Sequence, residues 1–210
     1  MNDPTTPYPI LLHDYWRSSA SYRVRIALGL AGLEWQAVAV NLVEGGQTRP
    51  DYLSLNPQGL VPTLDIDGHR FTQSLAIVEY LDETRNLGLL SGTPAQRAKA
   101  RAIAHAIAMD IHPVCNLRVA KQVIAASAGT LTMESWMQST IAPGLAAVEQ
   151  MVDGECFCSG DSLSLADLCL VPQIYNARRW GVDLAPMPKL TRIDAHLAQI
   201  AAFAAAYPAQ

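Results

Sequence analysis

A chain of 210 residues, half of them apolar, has enough material for one large or two small folded domains. Its net charge of −4 comes without any block of like charges, which argues against a nucleic-acid partner, and no run of about 18 apolar residues is present to span a membrane. The polar start MNDPTTPYP lacks the basic and apolar regions of a secretory leader, and Cys115, Cys156, Cys158 and Cys169 form no CxxC pair, so the expectation is a cytoplasmic protein with reduced thiols.

In chain order, Ile10–His13 reads as a strand that leads through Tyr15-Trp16-Arg17 into the hydroxyl cluster Ser18, Ser19, Ser21. A helix is predicted over Ser21–Ala31, with Val24, Ala27, Leu28 and Ala31 on one face and Gly32 placed to end it. Strand, hydroxyl-rich turn and helix start aim backbone N–H groups and a positive dipole end at whatever lies over the serines. A thiol or anion held there is favoured in its charged form. Ala20 and the three serines leave no cysteine at this place, so any thiol used here has to come from a ligand.

Trp35–Asn41 reads as a second strand, completing a β–α–β unit. After a loop rich in Gly, Gln and Pro (Gly45 to Gly59), Thr63–Ile66 and His69–Thr72 flank Asp67-Gly68, a strong hairpin signal. Ser74 is then expected to cap a helix carrying Ala76, Ile77, Tyr80 and Leu81. Residues 88–94 (GLLSGTP) read as a linker between an α/β half, 1–87, and an all-α half, 95–210. Alanine at every second position from Ala98 to Ala108 mimics a strand, but Ile103, Ile107 and Ile111 recur every four residues and alanine favours helix. Helices are predicted at about 95–125, 132–152, 165–178 and 189–205, with Ser164 and Asp167 spaced as a capping box and Ala198 to Ala209 as a fraying end.

The segment WRSSASYRVRIAL resembles the active-site segment of zeta-class glutathione transferases, the family that contains maleylacetoacetate isomerase and maleylpyruvate isomerase. The resemblance continues through NPQGLVPTL, QSLAIVEYLDET, DIHPVCNLRV and SLADLCLVPQIYNARRWGVDL, in the family's order. It implies a glutathione-transferase-like fold: an α/β N-terminal thioredoxin-like domain (βαβαββα) that binds glutathione, an all-α C-terminal helical domain that binds substrate, and a homodimer.

By that resemblance Ser18 is the hydroxyl that hydrogen-bonds the sulfur of glutathione; read locally it is also a good helix cap. Ser19, Ser21 and Arg23 are weaker candidates, and Ser21 is an alternative N-cap. Val61-Pro62 matches the family's cis-proline site, whose backbone pairs with the cysteinyl part of glutathione like a strand edge. Gln73 and Ser74 match the pair that holds the γ-glutamyl carboxylate, and Gln47 the amide toward the glycyl end. His112, Asn116 and Arg118 are expected to touch glutathione from the helical half, His112 and Asn116 being four apart on one helix face. Arg17 and Arg179 are the expected clamp on substrate carboxylates, with Arg178 treated as surface, because a guanidinium grips a carboxylate with two parallel hydrogen bonds. No metal is expected, since no third ligand stands at suitable spacing among the five histidines.

The implied function is glutathione-dependent cis–trans isomerisation of a small dicarboxylic maleyl keto acid (maleylacetoacetate or maleylpyruvate) in aromatic compound and aromatic amino acid catabolism. Ala20 departs from the cysteine usual in maleylacetoacetate isomerases, which leans the choice slightly toward maleylpyruvate. The alternative is a transferase that conjugates or dehalogenates small electrophiles such as halogenated acids. A non-catalytic binder on the same fold is disfavoured because Ser18 and Val61-Pro62 are both present.

Overall fold

The computed structural model describes residues 9–208; most of the polar start (residues 1–8) and Ala209 of the alanine-rich end lie outside the described residues. The chain forms two compact units, one gathering the sequence up to Leu87 with the segment from Ala201 onward, the other being Gly88–Ile200. No described helix is long and apolar enough to cross a membrane.

The first unit runs β1 (Leu11–Asp14), α1 (Ser19–Leu30), β2 (Gln36–Ala39), a 3-10 turn (Gly46–Thr48), α2 (Pro50–Leu53), β3 (Thr63–Ile66), β4 (His69–Thr72) and α3 (Ser74–Arg85). This is the thioredoxin-like arrangement expected. One sheet has the strand order β2-β1-β3-β4, with β1 and β2 parallel and β3 antiparallel to both β1 and β4. The β3–β4 hairpin turns on Asp67 (φ 54°) and Gly68 (φ 77°). Both φ values are positive, as a tight two-residue hairpin turn demands. Leu12, Leu64 and Ile66 from the sheet, Val24, Ile26 and Leu28 from α1, and Ile77, Val78 and Leu81 from α3 are almost fully buried and form the core.

The second unit holds α4 (Pro94–His105), α5 (Leu117–Ala126), α6 (Met133–Met151), α7 (Leu165–Arg179) and α8 (Pro188–Leu197), with a π-helical stretch over Ala106–Ile111. The single helix predicted over 95–125 is therefore broken. Pro113 has no N–H to continue the ladder, a turn occupies 112–115, and Asn116 caps a new helix with its side chain. Asp167 takes three hydrogen bonds: from the Ser164 N–H at 2.8 Å, the Ser164 hydroxyl at 2.9 Å and the Cys158 N–H at 2.7 Å. The capping box read from the sequence is thus present and also ties down the loop before it. Burial raises the Asp167 carboxyl pKa, and the bonds from Cys158 and Ser164 oppose that rise. Glu149 plays a similar part for α8, accepting from the N–H groups of Lys189 (3.1 Å) and Leu190 (3.0 Å).

The helix predicted at 189–205 also divides, and α9 (Ala201–Ala206) is the piece that departs from the expected 95–210 half: it packs on α1 in the first unit. Phe203 and Ala206, three apart, bury one face of it. Gly29 on α1 makes room, since a Cβ there would lie only 3.2 Å from the Ala202 Cβ. Arg25 Nε closes the contact by donating to the Ala206 carbonyl at 3.2 Å.

Replacing Asp167 removes every acceptor from two buried N–H groups. Asp167→Ala should lower unfolding free energy by about 3 kcal/mol, and Asp167→Asn by less, read from equilibrium denaturation. A loss under about 1 kcal/mol would show that water takes over the cap.

Candidate active site

The sheet brings the candidate residues of the first unit to one end. β1 finishes at Asp14 and runs into Tyr15–Ser18; β2, parallel to it, finishes at Ala39 and runs into the loop that carries Gln47. β3 runs the other way, with Thr63 opposite His13, so Val61 and Pro62 enter at the end where β1 leaves. β4 reverses again, Thr72 opposite Thr63, and delivers Gln73 and Ser74 there as well. Four segments far apart in sequence thus converge.

Ser18 is the N-cap of α1: its Oγ accepts from the Ser21 N–H at 3.2 Å. A hydroxyl that accepts from inside the chain keeps its own hydrogen for an outside acceptor. Ser18 is half-buried, whereas Ser19 is buried and Ser21 is fully enclosed, so Ser21 serves Ser18 through its backbone. The structure places the cap at Ser18 and leaves Ser21 inside the helix, because Ser18 has the extended backbone a cap requires.

The Val61–Pro62 bond is cis. Just before it, the Leu60 carbonyl accepts from the Tyr52 hydroxyl and from Asn56 Nδ2, both at 2.7 Å, which fixes the approach to Val61. Gln47 lies in the 3-10 turn with its Oε1 buried and without a hydrogen-bond partner among the described residues. Gln73, at φ 67°, is the N-cap of α3 in place of the expected Ser74, and its amide donates to Gln58 Oε1 at 2.7 Å. A side-chain-bearing residue in that left-handed region is uncommon and concentrates at ligand sites. The N-cap makes no side-chain hydrogen bond to α3, so the first-turn N–H groups lack that partner. Ser74 is the first helical residue, buried, and accepts from Arg23 Nη1 at 3.1 Å.

Arg17 Nη2 donates to the Tyr15 hydroxyl at 3.0 Å, and its guanidinium lies 4.7 Å from the Trp16 ring centre. Stacking on aromatic faces holds a guanidinium flat without neutralising it. Below this loop, Arg25 pairs with Asp14 at 2.6 Å and donates to the Trp16 carbonyl at 3.0 Å. Nothing local in the sequence signals this brace: Asp14 looks like the end of an apolar strand and Arg25 like an ordinary helical arginine.

The second unit contributes its own candidates. His112 and Asn116 do not share a helix face as expected, because the turn at 112–115 separates them from a continuous helix. Asn116 Oδ1 accepts from the Arg118 N–H at 2.9 Å, and Arg118 is exposed on the first turn of α5. Arg179 is exposed at the end of α7 with its guanidinium 4.6 Å from the Trp180 ring centre. Arg178 is engaged, pairing with the buried Asp194 carboxylate at 2.6 Å, which gives the neighbouring arginine a structural part.

Neither Cys115 nor Cys158 is prepared as a nucleophile. Burial pushes Cys115 up to about 11, and burial together with the nearby Asp167 carboxylate raises Cys158 well above the ordinary thiol value. No group of three or more His, Cys, Asp or Glu able to hold a metal is found among the described residues.

Residues 17–84 match the family described as glutathione S-transferase, N-terminal domain. The chain is 56% identical to the maleylacetoacetate isomerase of Rhizobium meliloti (strain 1021), over 94% of this chain and 95% of that protein. Among solved structures it is similar to a holo maleylpyruvate isomerase, a bacterial zeta-class glutathione S-transferase: TM-score 0.88, 36% identity, covering 94% of this chain and 96% of that one. It is equally similar in shape to the maleylacetoacetate isomerase of Methylobacterium extorquens AM1 with bound malonate and glutathione: TM-score 0.88, 38% identity, 94% and 96% coverage.

Cys156 is the exposed cysteine, while Cys115, Cys158 and Cys169 are buried. Iodoacetamide at neutral pH should therefore add one carboxamidomethyl group to the native chain and four after denaturation, counted by intact mass. Rapid native labelling of a second cysteine would contradict the burial of Cys115, Cys158 and Cys169.

Proposed function

Since the chain belongs to the zeta-class glutathione transferases, as 56% identity over 94% of its length to a maleylacetoacetate isomerase shows, we propose that it is a glutathione-dependent cis–trans isomerase of a maleyl keto acid. Maleylacetoacetate is the favoured substrate on that identity, against 36% to 38% for the solved maleylpyruvate isomerases, and this outweighs the lean that Ala20 gave toward maleylpyruvate. The relatives' names support isomerisation rather than conjugation or dehalogenation as the main activity.

The residues of the first unit fit glutathione. A hydroxyl that accepts internally and so has a hydrogen to give (Ser18), a backbone edge beside a cis proline (Val61), a helix start without a side-chain cap (Gln73, Ser74) and the loop that carries the Gln47 amide all stand at one end of the sheet. When bound, glutathione supplies the thiolate that adds reversibly to the cis double bond and so lets it rotate. Ser18 donates its hydrogen toward the sulfur, and the start of α1 adds its positive end, so the negative charge is held where the chain itself offers only oxygen. Ser19 and Ser21 act from behind, through the helix start. Arg17 and Arg179 grip the two carboxylate ends of the substrate, which turns addition into an oriented step. The Methylobacterium extorquens relative was solved with malonate, a small dicarboxylate, and glutathione bound.

His112, Asn116 and Arg118 are assigned to glutathione contacts from the helical domain, in a homodimer. Val43 and Met109, large apolar side chains more than half exposed, are candidates for burial between its subunits. Four free cysteines accord with a reducing compartment, the cytoplasm, and with a part in aromatic compound and amino acid catabolism. The functional division proposed is 1–87 for glutathione and 95–210 for substrate across the linker 88–94, with α9 belonging structurally to the first unit.

The observation that carries this reading is the Ser18 hydroxyl, oriented by the Ser21 N–H at the start of α1. Purified protein with glutathione should convert each cis acid to its trans isomer while the amount of free glutathione stays constant; net consumption would mark a conjugating transferase instead. Ser18→Ala should keep glutathione binding and lower turnover by about 10²-fold, the scale of one lost charge-stabilising donor. Arg179→Ala should raise KM for the keto acid far more than KM for glutathione, and equal rises would remove it from the clamp.

A further inference from the structure

Arg23 sits on α1 with only 2% of its surface exposed, and it donates from Nη1 to the Ser74 Oγ, 3.1 Å away on the first residue of α3. A guanidinium has only donors, so this contact fixes the direction of the bond. Ser74 must accept from the core side, and its single hydroxyl hydrogen points away from Arg23. The same logic holds at Ser18, where a backbone N–H plays the part of the guanidinium. At Ser74 the consequence is sharper, because α3 has no side-chain cap and its first-turn N–H groups already favour an anion.

We propose that Arg23 is a positioning residue for carboxylate recognition at the start of α3: it sets the Ser74 hydroxyl as an outward donor and thereby gives the site its preference for a thiol bearing a γ-glutamyl carboxylate. This rests on the reading of Ser74 as part of the glutathione site. Arg23 touches neither thiol nor substrate. It acts through Ser74, and its substitution changes which thiol is chosen and leaves the chemical step intact.

The test compares two thiols on the full chain: glutathione and cysteinylglycine, which lacks the γ-glutamyl carboxylate. The unaltered protein should bind glutathione the more tightly. Ser74→Ala should weaken glutathione by about tenfold or more, the scale of a hydrogen bond to a charged group, and leave cysteinylglycine unchanged. Arg23→Met should do the same, raising KM for glutathione with kcat at saturation retained, and Arg23→Lys, which keeps a donor, should recover part of the preference. The double variant Arg23→Met/Ser74→Ala should be no worse than either single change, because both remove one shared interaction. If Arg23→Met keeps the full preference while Ser74→Ala loses it, the positioning role is overturned and the glutathione site stands. If the unaltered protein shows no preference between the two thiols, the reading of the site falls, and this inference with it. Should Arg23→Met fail to fold, the guanidinium N–H signals of Arg23 in the unaltered protein decide by NMR. A shift with glutathione and none with cysteinylglycine supports the role, and no difference between the two overturns it.

Discussion

The antiparallel pairing of β3 on β1, His13 opposite Thr63, is the constraint on which the site depends. A sheet that continued in parallel would have carried Val61 and Pro62 to the far end from Ser18, since parallel neighbours begin at the same end. Reversal at β3 and again at the Asp67-Gly68 hairpin brings Val61, Gln73 and Ser74 to the end where β1 and β2 finish. Register adds precision to direction. A slip of one residue would move each side chain of β3 to the opposite face, and Leu64 and Ile66, both almost fully buried, set the hydrophobic penalty against it.

At that end the chemistry is one of hydroxyl direction. A serine oxygen can accept and donate, and a ligand needs to find one of those roles reserved. Here the chain reserves both: Ser18 accepts from a backbone N–H, Ser74 from a guanidinium, and each is left with a hydrogen for an incoming negative group. The buried thiols run the opposite way, with Cys115 and Cys158 driven toward their neutral forms by burial. These two thiols are thus held as neutral groups, in contrast to the serines at the helix starts.

Much of this was legible because the signals are local. Asp67-Gly68 specifies a turn through two positive φ values, Ser164 and Asp167 specify a cap through a fixed three-residue reach, and the serines before Val24 mark a helix start. The misplaced features depend on backbone conformation or on distant partners. Ser74 is a sound cap by composition, yet Gln73 takes the position because its backbone is non-helical; at α1 both Ser18 and Ser21 are open by composition, and the extended backbone of Ser18 decides for it. The pattern at Ile103, Ile107 and Ile111 runs smoothly into residues after Pro113, so periodicity alone extended a helix that Pro113 and Asn116 divide. Likewise α9 has a weak alanine-rich face whose partner, Gly29, lies about as far away in sequence as the chain allows.

That distant contact connects to the site through Arg25. Its guanidinium spans three segments: the Asp14 carboxylate at the end of β1, the Trp16 carbonyl in the loop before Ser18, and the Ala206 carbonyl of α9. A buried ion pair is weak evidence for stability by itself, because desolvating two charges offsets most of their attraction. Its value lies in geometry. With Asp14 and Trp16 held by one rigid fork, the four residues between strand and helix start have little freedom, and Ser18 is presented in one orientation. The third acceptor explains why a short helix at the far end of the chain packs with the first unit: α9 completes the hydrogen bonding of the guanidinium, so that the charge beneath the loop before Ser18 is satisfied.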